Sequence, residues 1–209
     1  MIERKIKEFW SEEVTSASWI RLLELSKKYD FILIGGWSAY MWTKTHKSKD
    51  IDIVVNYLSL EVLKADFSLI KNERLAKYEI KQDNFDIDVY VSHYSKLALP
   101  VEILEKHTAK VEGITTVTPE ILVILKQGAE IDRRGSIKGK KDQIDLLTLL
   151  IYSPFDFKKY LNLIGEFKMQ NYKDELVRVV KEFNEKDISY LSFDHQEFIK
   201  WKKEFSKKL

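Results

Sequence analysis

Four aspartates stand at two-residue spacing in two apolar stretches of the chain. Asp50 and Asp52 lie in Ser48-Lys49-Asp50-Ile51-Asp52-Ile53-Val54-Val55, and Asp86 and Asp88 lie in Phe85-Asp86-Ile87-Asp88-Val89-Tyr90-Val91. Side chains alternate faces along a strand, so each pair points one way, with Cα atoms ~6.5–7 Å apart. Two carboxylates so placed can grip one hard divalent cation or bridge two, and such cations pair with phosphate oxygens. A carboxylate among buried Ile and Val is costly, and two on one face repel; a bound cation relieves both problems. Asp50, Asp52 and Asp88 are therefore the candidate catalytic and metal-binding residues, with Mg²⁺ or Mn²⁺ as the ion. Asp88 is favoured as the third acid because it sits deeper in its apolar run, with Asp86 as the alternative. Three acids on adjacent strands can hold two ions ~3.5–4 Å apart. The third can also take the proton of an acceptor hydroxyl.

Upstream of these acids, the apolar run Phe31–Ile34 ends at Gly35-Gly36. Glycine lets the backbone approach a ligand closely, and the free N–H groups of a following helix favour phosphate. Ser38 adds a candidate hydroxyl donor. An anion cradle beside a cation site is what a metal–triphosphate substrate requires.

The elements that must position these groups follow from periodicity. Helices are expected over 2–10, 14–29, 37–43 and 58–70, and strands over 31–34 and 51–55. A strand pair, 73–82 with 85–92, is expected around Asp83-Asn84, and a shorter pair around Glu112-Gly113. Thr118-Pro119 reads as a helix start. From there the pattern is helical: 119–132, 139–152, 156–168, 171–185 and 194–207. The fold class is thus α+β, a mixed α/β core over 1–117 with a helical part over 118–209, the two sharing a hydrophobic centre.

Composition excludes several classes. There is no Cys, which removes disulfides, thiolate nucleophiles and Cys-based zinc sites. Lys and Arg number 35 against 33 Asp and Glu, so net charge does not mark a nucleic-acid binder. The four His show no metal spacing. The opening residues hold no apolar segment of signal-peptide length, and no apolar run reaches membrane-spanning length. The expectation is a cytoplasmic protein with no membrane partner.

Gly-Gly, a short helix, Asp-x-Asp on a strand and an acid on a later strand together resemble the polymerase-beta-like nucleotidyltransferase superfamily. The match runs from about Ile32 to Val91. It implies a nucleotidyltransferase-like twisted mixed sheet with flanking helices. It also implies triphosphate binding at Gly35, Gly36 and Ser38, and Mg²⁺ at Asp50, Asp52 and Asp88. The wording Gly-Gly-Trp-Ser-Ala-Tyr…Lys-Ser-Lys-Asp-Ile-Asp is similar to the minimal, AbiEii-like branch, which includes toxins of phage-defence and toxin–antitoxin systems. That branch carries a later Lys…Arg pair and an Asp-rich helix. Lys126, Arg133 or Arg134, and Lys141-Asp142-Gln143-Ile144-Asp145 resemble them. Lys126, Arg133 and Lys141 are therefore candidate nucleotide contacts. Lys49, in the Lys47/Lys49 neighbourhood, stands where the family often has an Arg. The implied activity is transfer of a nucleoside monophosphate from an NTP, such as ATP, to an acceptor that is RNA (tRNA included), a protein or a small molecule. A non-catalytic nucleotide-binding or protein-interaction module on the same fold is the rival. On the plainer reading, Lys141 and Asp145 form an ordinary solvent-facing pair one helical turn apart, and residues 133–141 form a flexible basic loop.

Overall fold

The computed structural model describes residues 6–208. Residues 6–10 carry no helix, which corrects the expectation for that segment; the rest of the expected 2–10 helix lies outside the described residues. Helix α1 (Glu12–Lys28) opens on Glu12 and Glu13 and closes on Lys27 and Lys28, charges that complement the helix dipole at both ends. Its buried face carries Ser18, Leu22 and Leu25. Strand β1 (Ile32–Ile34) runs directly into helix α2 (Gly35–Thr43), so the two glycines form the first turn of a helix.

Strand β2 (Ile51–Val55) leads to helix α3 (Tyr57–Asp66), whose N-terminus is capped by Asn56 accepting from Ser59 N at 2.8 Å. The helix expected to run to Ile70 stops at Asp66. Ile70–Asn72 instead form strand β3, because Ile70 pairs with Glu79 of the next strand. Tertiary strand pairing overrides the helical pattern here. Strands β4 (Lys77–Lys81) and β5 (Asp86–Val91) form the expected antiparallel pair. A short helix α4 (Val101–Leu104) precedes strands β6 (Thr108–Val111) and β7 (Ile114–Val117). Glu112 and Gly113 between them both have positive φ, 50° and 84°, as a two-residue hairpin turn matching strand twist requires.

The seven strands form one sheet in the order β3-β4-β5-β2-β1-β7-β6. The β2–β5 and β1–β7 pairs are parallel and the others antiparallel, so the sheet is mixed. The register sets Asp52 beside Asp88 of β5 on one side and Ile34 of β1 on the other.

Beyond the sheet come α5 (Pro119–Asp132), α6 (Ile137–Tyr152), α7 (Phe157–Glu166) and α8 (Asn171–Glu182). A 3₁₀ turn (Glu185–Leu191) and α9 (His195–Ser206) complete the helical part. Pro119 opens α5 as expected, although the Thr118 side chain makes no capping bond. Ser136 caps α6 by accepting from Gly139 N at 3.0 Å. The connection after α5 is consequently residues 133–136 alone; Lys138, Lys140 and Lys141 belong to α6, which corrects the expected long basic loop. Among the described residues no helix is long and apolar enough to cross a membrane.

Two clusters form the core. One packs Leu22 of α1 and Leu60 and Leu63 of α3 against Leu33, Ile53, Ile87 and Val89 of the sheet, with Trp37 inside it. The other joins Ile34, Ala39 and Val54 to Ile121, Leu147, Tyr160 and Phe198 of the helical part. Residues on both sides of position 117 therefore bury one another. The two clusters should unfold together. Leu147→Ala removes a fully buried side chain and should cost about 2–5 kcal/mol. In chemical denaturation, helix content and the fluorescence of Trp37 in the other cluster should shift to the same lower midpoint.

Candidate active-site cleft

A cleft of about 840 Å³ opens where the C-terminal half of the chain faces the sheet. Gly35 and Gly36 at the start of α2, Asp50 and Asp52 of the β2 region, Asp88 of β5, and Lys126, Arg133 and Lys141 of the helical part all line it. These residues come from positions 35 to 141, and only the fold gathers them.

Asp52 and Asp88 are direct neighbours on parallel strands. Burial raises both carboxyls above their usual range. For Asp52 the charge of Asp50 adds to this, against the opposing pull of Lys126, Lys77 and Arg133. Asp88 is pushed up to about 6, with Asp52 as the next cause after burial. The hydroxyl of Tyr90 donates to Asp52 Oδ1 at 3.3 Å. Lys77 Nζ lies 2.5 Å from Asp88 Oδ2, while Asp88 Oδ1 is buried with no hydrogen-bond partner. Asp86 pairs with Lys81 at 2.9 Å and does not line the cleft. Of the two alternatives for the third acid, Asp88 lines the cleft and Asp86 does not.

Asp50 sits one residue before β2, not on it. Its Oδ2 is 3.1 Å from Lys138 Nζ, and its Oδ1 accepts from Asp86 N at 3.3 Å. Among the described residues, no three His, Asp or Glu side chains gather closely enough to hold one ion. Two of the three expected acids come together, and the third is turned toward Lys138.

Gly35 has φ of +69°, and a Cβ there would stand 2.1 Å from Asp52 Oδ2. The glycine is what allows a carboxylate to lie against the start of α2. At Gly36 a Cβ would meet Ser48 Oγ at 2.4 Å. Ser48 lines the cleft and donates to the Asp50 carbonyl at 3.1 Å. Ser38 does not line the cleft: fully buried, its hydroxyl shares a 2.6 Å hydrogen bond with Thr116. The helix turns this side chain away from its own N-terminus, which corrects its expected role as a phosphate donor.

Lys126 and Lys141 of the helical part are buried in an ion-pair network instead of facing solvent, and the partly exposed Arg133 joins it. Lys126 lies 3.1 Å from Asp142 and 2.7 Å from Asp145, and Lys141 lies 2.5 Å from Asp145. Arg133 grips Asp142 with two nitrogens at 2.6 and 3.0 Å. Both aspartates are about 1% exposed. Against burial, Asp145 and Asp142 raise Lys126 above its usual range; burial, with Lys126 nearby, lowers Lys141. Three cations share two anions, so the surplus positive charge falls on the cleft and on Asp52. Arg134, the alternative to Arg133, is paired instead with Glu130 and Glu175.

Lys49, Arg74 and Lys96 line the cleft with side chains that have no ion-pair or hydrogen-bond partner among the described residues. Of the residues not singled out from sequence, Tyr90 was legible: it follows Asp88 by two on the same strand face. Lys77 and Ser48 were not, since strand register and the packing of Gly36 decide their places.

No protein-family model matches the chain, and no curated protein sequence matches it. Solved structures do resemble it. One is an antigenic nucleotidyltransferase-like protein from Paracoccidioides brasiliensis, 16% identical, covering 79% of this chain and 93% of its own, with a TM-score of 0.40. A second is JHP933 from Helicobacter pylori, 16% identical, covering 94% and 96%, with a TM-score of 0.45. A third, an H. pylori protein provisionally named a nucleotidyltransferase, is 14% identical and covers 95% and 98%, with a TM-score of 0.48.

Two outcomes follow from the geometry. Gly35→Ala forces Asp52 to move and strains the backbone, and should cost at least about 2 kcal/mol in thermal or chemical denaturation. A raised carboxyl binds its proton more tightly folded than unfolded. The contribution of Asp88 to stability is therefore greatest below about pH 4 and falls as pH rises through 6. Relative to Asp88→Asn, wild type in chelator should lose about 2–3 kcal/mol over that window. Parallel profiles for the two proteins would contradict the pairing.

Proposed function

We propose that the protein is a metal-dependent nucleotidyltransferase, moving a nucleoside monophosphate from an NTP to an acceptor hydroxyl with release of pyrophosphate. The observation that carries this reading is Asp52 beside Asp88, next to the Gly35–Gly36 start of α2 and facing the cations of α5 and α6.

The donor set suits a hard divalent cation. Burial disfavours both carboxylates in their ionised form, and Asp88 Oδ1 is buried without a donor. Asp52 and Asp88 would hold Mg²⁺ or Mn²⁺, and Asp50 would join them on letting go of Lys138. Such an ion would supply charge neutralisation on phosphate oxygens.

The chain's own residues supply the rest. The N–H groups opening α2 would receive phosphate oxygens, and Lys49, Arg74 and Lys96 are uncommitted cations for the outer phosphates. Lys126 and Arg133, held in place by Asp142, favour ionised Asp52. Beside Asp88 the acceptor hydroxyl would give up its proton to solvent as its oxygen bonds to the α-phosphorus and the bond to pyrophosphate breaks. Phosphoryl transfer depends on positioning and charge stabilisation, so fixed groups of this kind carry the catalysis. RNA (tRNA included), protein and small-molecule acceptors each offer the hydroxyl. The resemblance to defence-system toxins makes a cytoplasmic toxin-like role part of this proposal.

With α-phosphate-labelled NTPs and cell extract, wild type should label an acceptor and release pyrophosphate. Asp52→Asn and Asp88→Asn should lower turnover by at least ~10²-fold with melting temperatures unchanged or higher, because each removes a buried charge. A toxin-like enzyme would also arrest growth on expression, and Asp52→Asn would not. Undiminished pyrophosphate release by both variants would end the enzymatic reading.

A further inference from the structure

Lys77 stands outside the acids, glycines and helical cations that compose the site above, yet its ammonium pairs directly with Asp88. It lines the cleft from β4, with a side chain 11% exposed. Nζ lies 2.5 Å from Asp88 Oδ2 and 3.2 Å from Glu79 Oε1. Glu79 is the cross-strand partner of Asp88 in the β4–β5 register and is itself buried. Asn72 Nδ2 at 2.9 Å and Lys81 Nζ at 3.0 Å fix both Glu79 oxygens. Lys77 is therefore clamped between two anchored carboxylates. Its withdrawal would leave Asp88 Oδ2 buried with no donor, a costly state.

The two oxygens of Asp88 thus differ. Oδ2 is taken by an internal cation, and Oδ1 is buried and free. A divalent ion on Oδ2 would sit about 2.1 Å from that oxygen and hence about 4 Å from the ammonium. At that distance like charges repel strongly in a partly buried site, so Lys77 keeps a divalent ion off Oδ2.

We propose that Lys77 is a built-in cation that takes the place of a second metal, so that the site loads a single divalent ion, shared by Asp52 and the free oxygen of Asp88. This rests on the reading that the cleft takes a cation. In the reaction Lys77 would hold Asp88 in position and supply fixed positive charge where a two-metal enzyme uses an exchangeable ion. The single ion then remains for the triphosphate.

The test is a titration of the full chain with Mn²⁺ alone, counting bound ions by the electron paramagnetic resonance signal of the free ion. Wild type should bind one ion per chain and Lys77→Arg, which keeps the charge, also one. Lys77→Met should bind two. Lys77→Gln, which keeps a donor for Asp88, should also bind two and serves if the Met variant does not fold. Two ions in wild type would overturn the proposal while leaving the cation reading intact, and so would one ion in both uncharged variants. No ion in any of these proteins would sink the cation reading itself and the role of Lys77 with it.

Discussion

Two half-buried carboxylates on neighbouring parallel strands are the constraint around which the molecule is arranged. Asp52 and Asp88 share one level of the sheet and are half-buried where they line the cleft. Ionised together they repel, and burial penalises each. The surrounding groups all act on this strain. Tyr90 donates to one carboxylate and Lys77 to the other. Gly35 yields the space that the Asp52 side chain fills, and Lys126 and Arg133 direct surplus positive charge at it. A sheet carrying such a pair is less stable than one with apolar residues in those places. The arrangement makes sense as a site that a ligand completes.

The helical part is joined to this site by more than packing. Ile34, Ala39 and Val54 share a core with α5 to α9, so the helices cannot shift without disturbing β1 and β2. The Lys126–Asp142–Asp145–Lys141 network is buried almost completely. Breaking one partner of such a network leaves an uncompensated charge, which holds α5 and α6 in one relative placement. Arg133 ends α5 and is gripped by Asp142 of α6, so its guanidinium is positioned by both helices. The Lys138–Asp50 contact is different in kind. Lys138 is 60% exposed, and an exposed pair is worth little, so Asp50 is free to change partners at small cost.

Much of this was legible in the residues. Alternation along β2 and β5 marked the strands and the common face of the acids within each; the pairing of Asp52 with Asp88 comes from register. The glycine pair marked where β1 ends and a helix begins, and Pro119 marked the start of α5. The plainer reading of Lys141 and Asp145 as a surface pair failed because helical spacing fixes which residues meet along a helix but not which face the fold buries. Ser38 differs from expectation for a related reason: closeness in sequence to a helix start does not say which way a side chain projects, and here it projects toward Thr116. The helical pattern extends over Ile70 because nothing local announces that it pairs with Glu79.

The amino-acid order alone determined the acids, the glycines, the absence of thiol chemistry and the alternation of sheet and helix, because these depend on residue type and on periods of two and 3.6. The tertiary structure decided the rest. Strand register brought Lys77 and Glu79 to Asp88, a loop turned Asp50 toward Lys138, and the packing of α5 and α6 buried Lys126 and Lys141. Each of these pairings joins residues whose meeting depends on long-range register and packing, and such contacts are set by the competition for a common core, which no local pattern records.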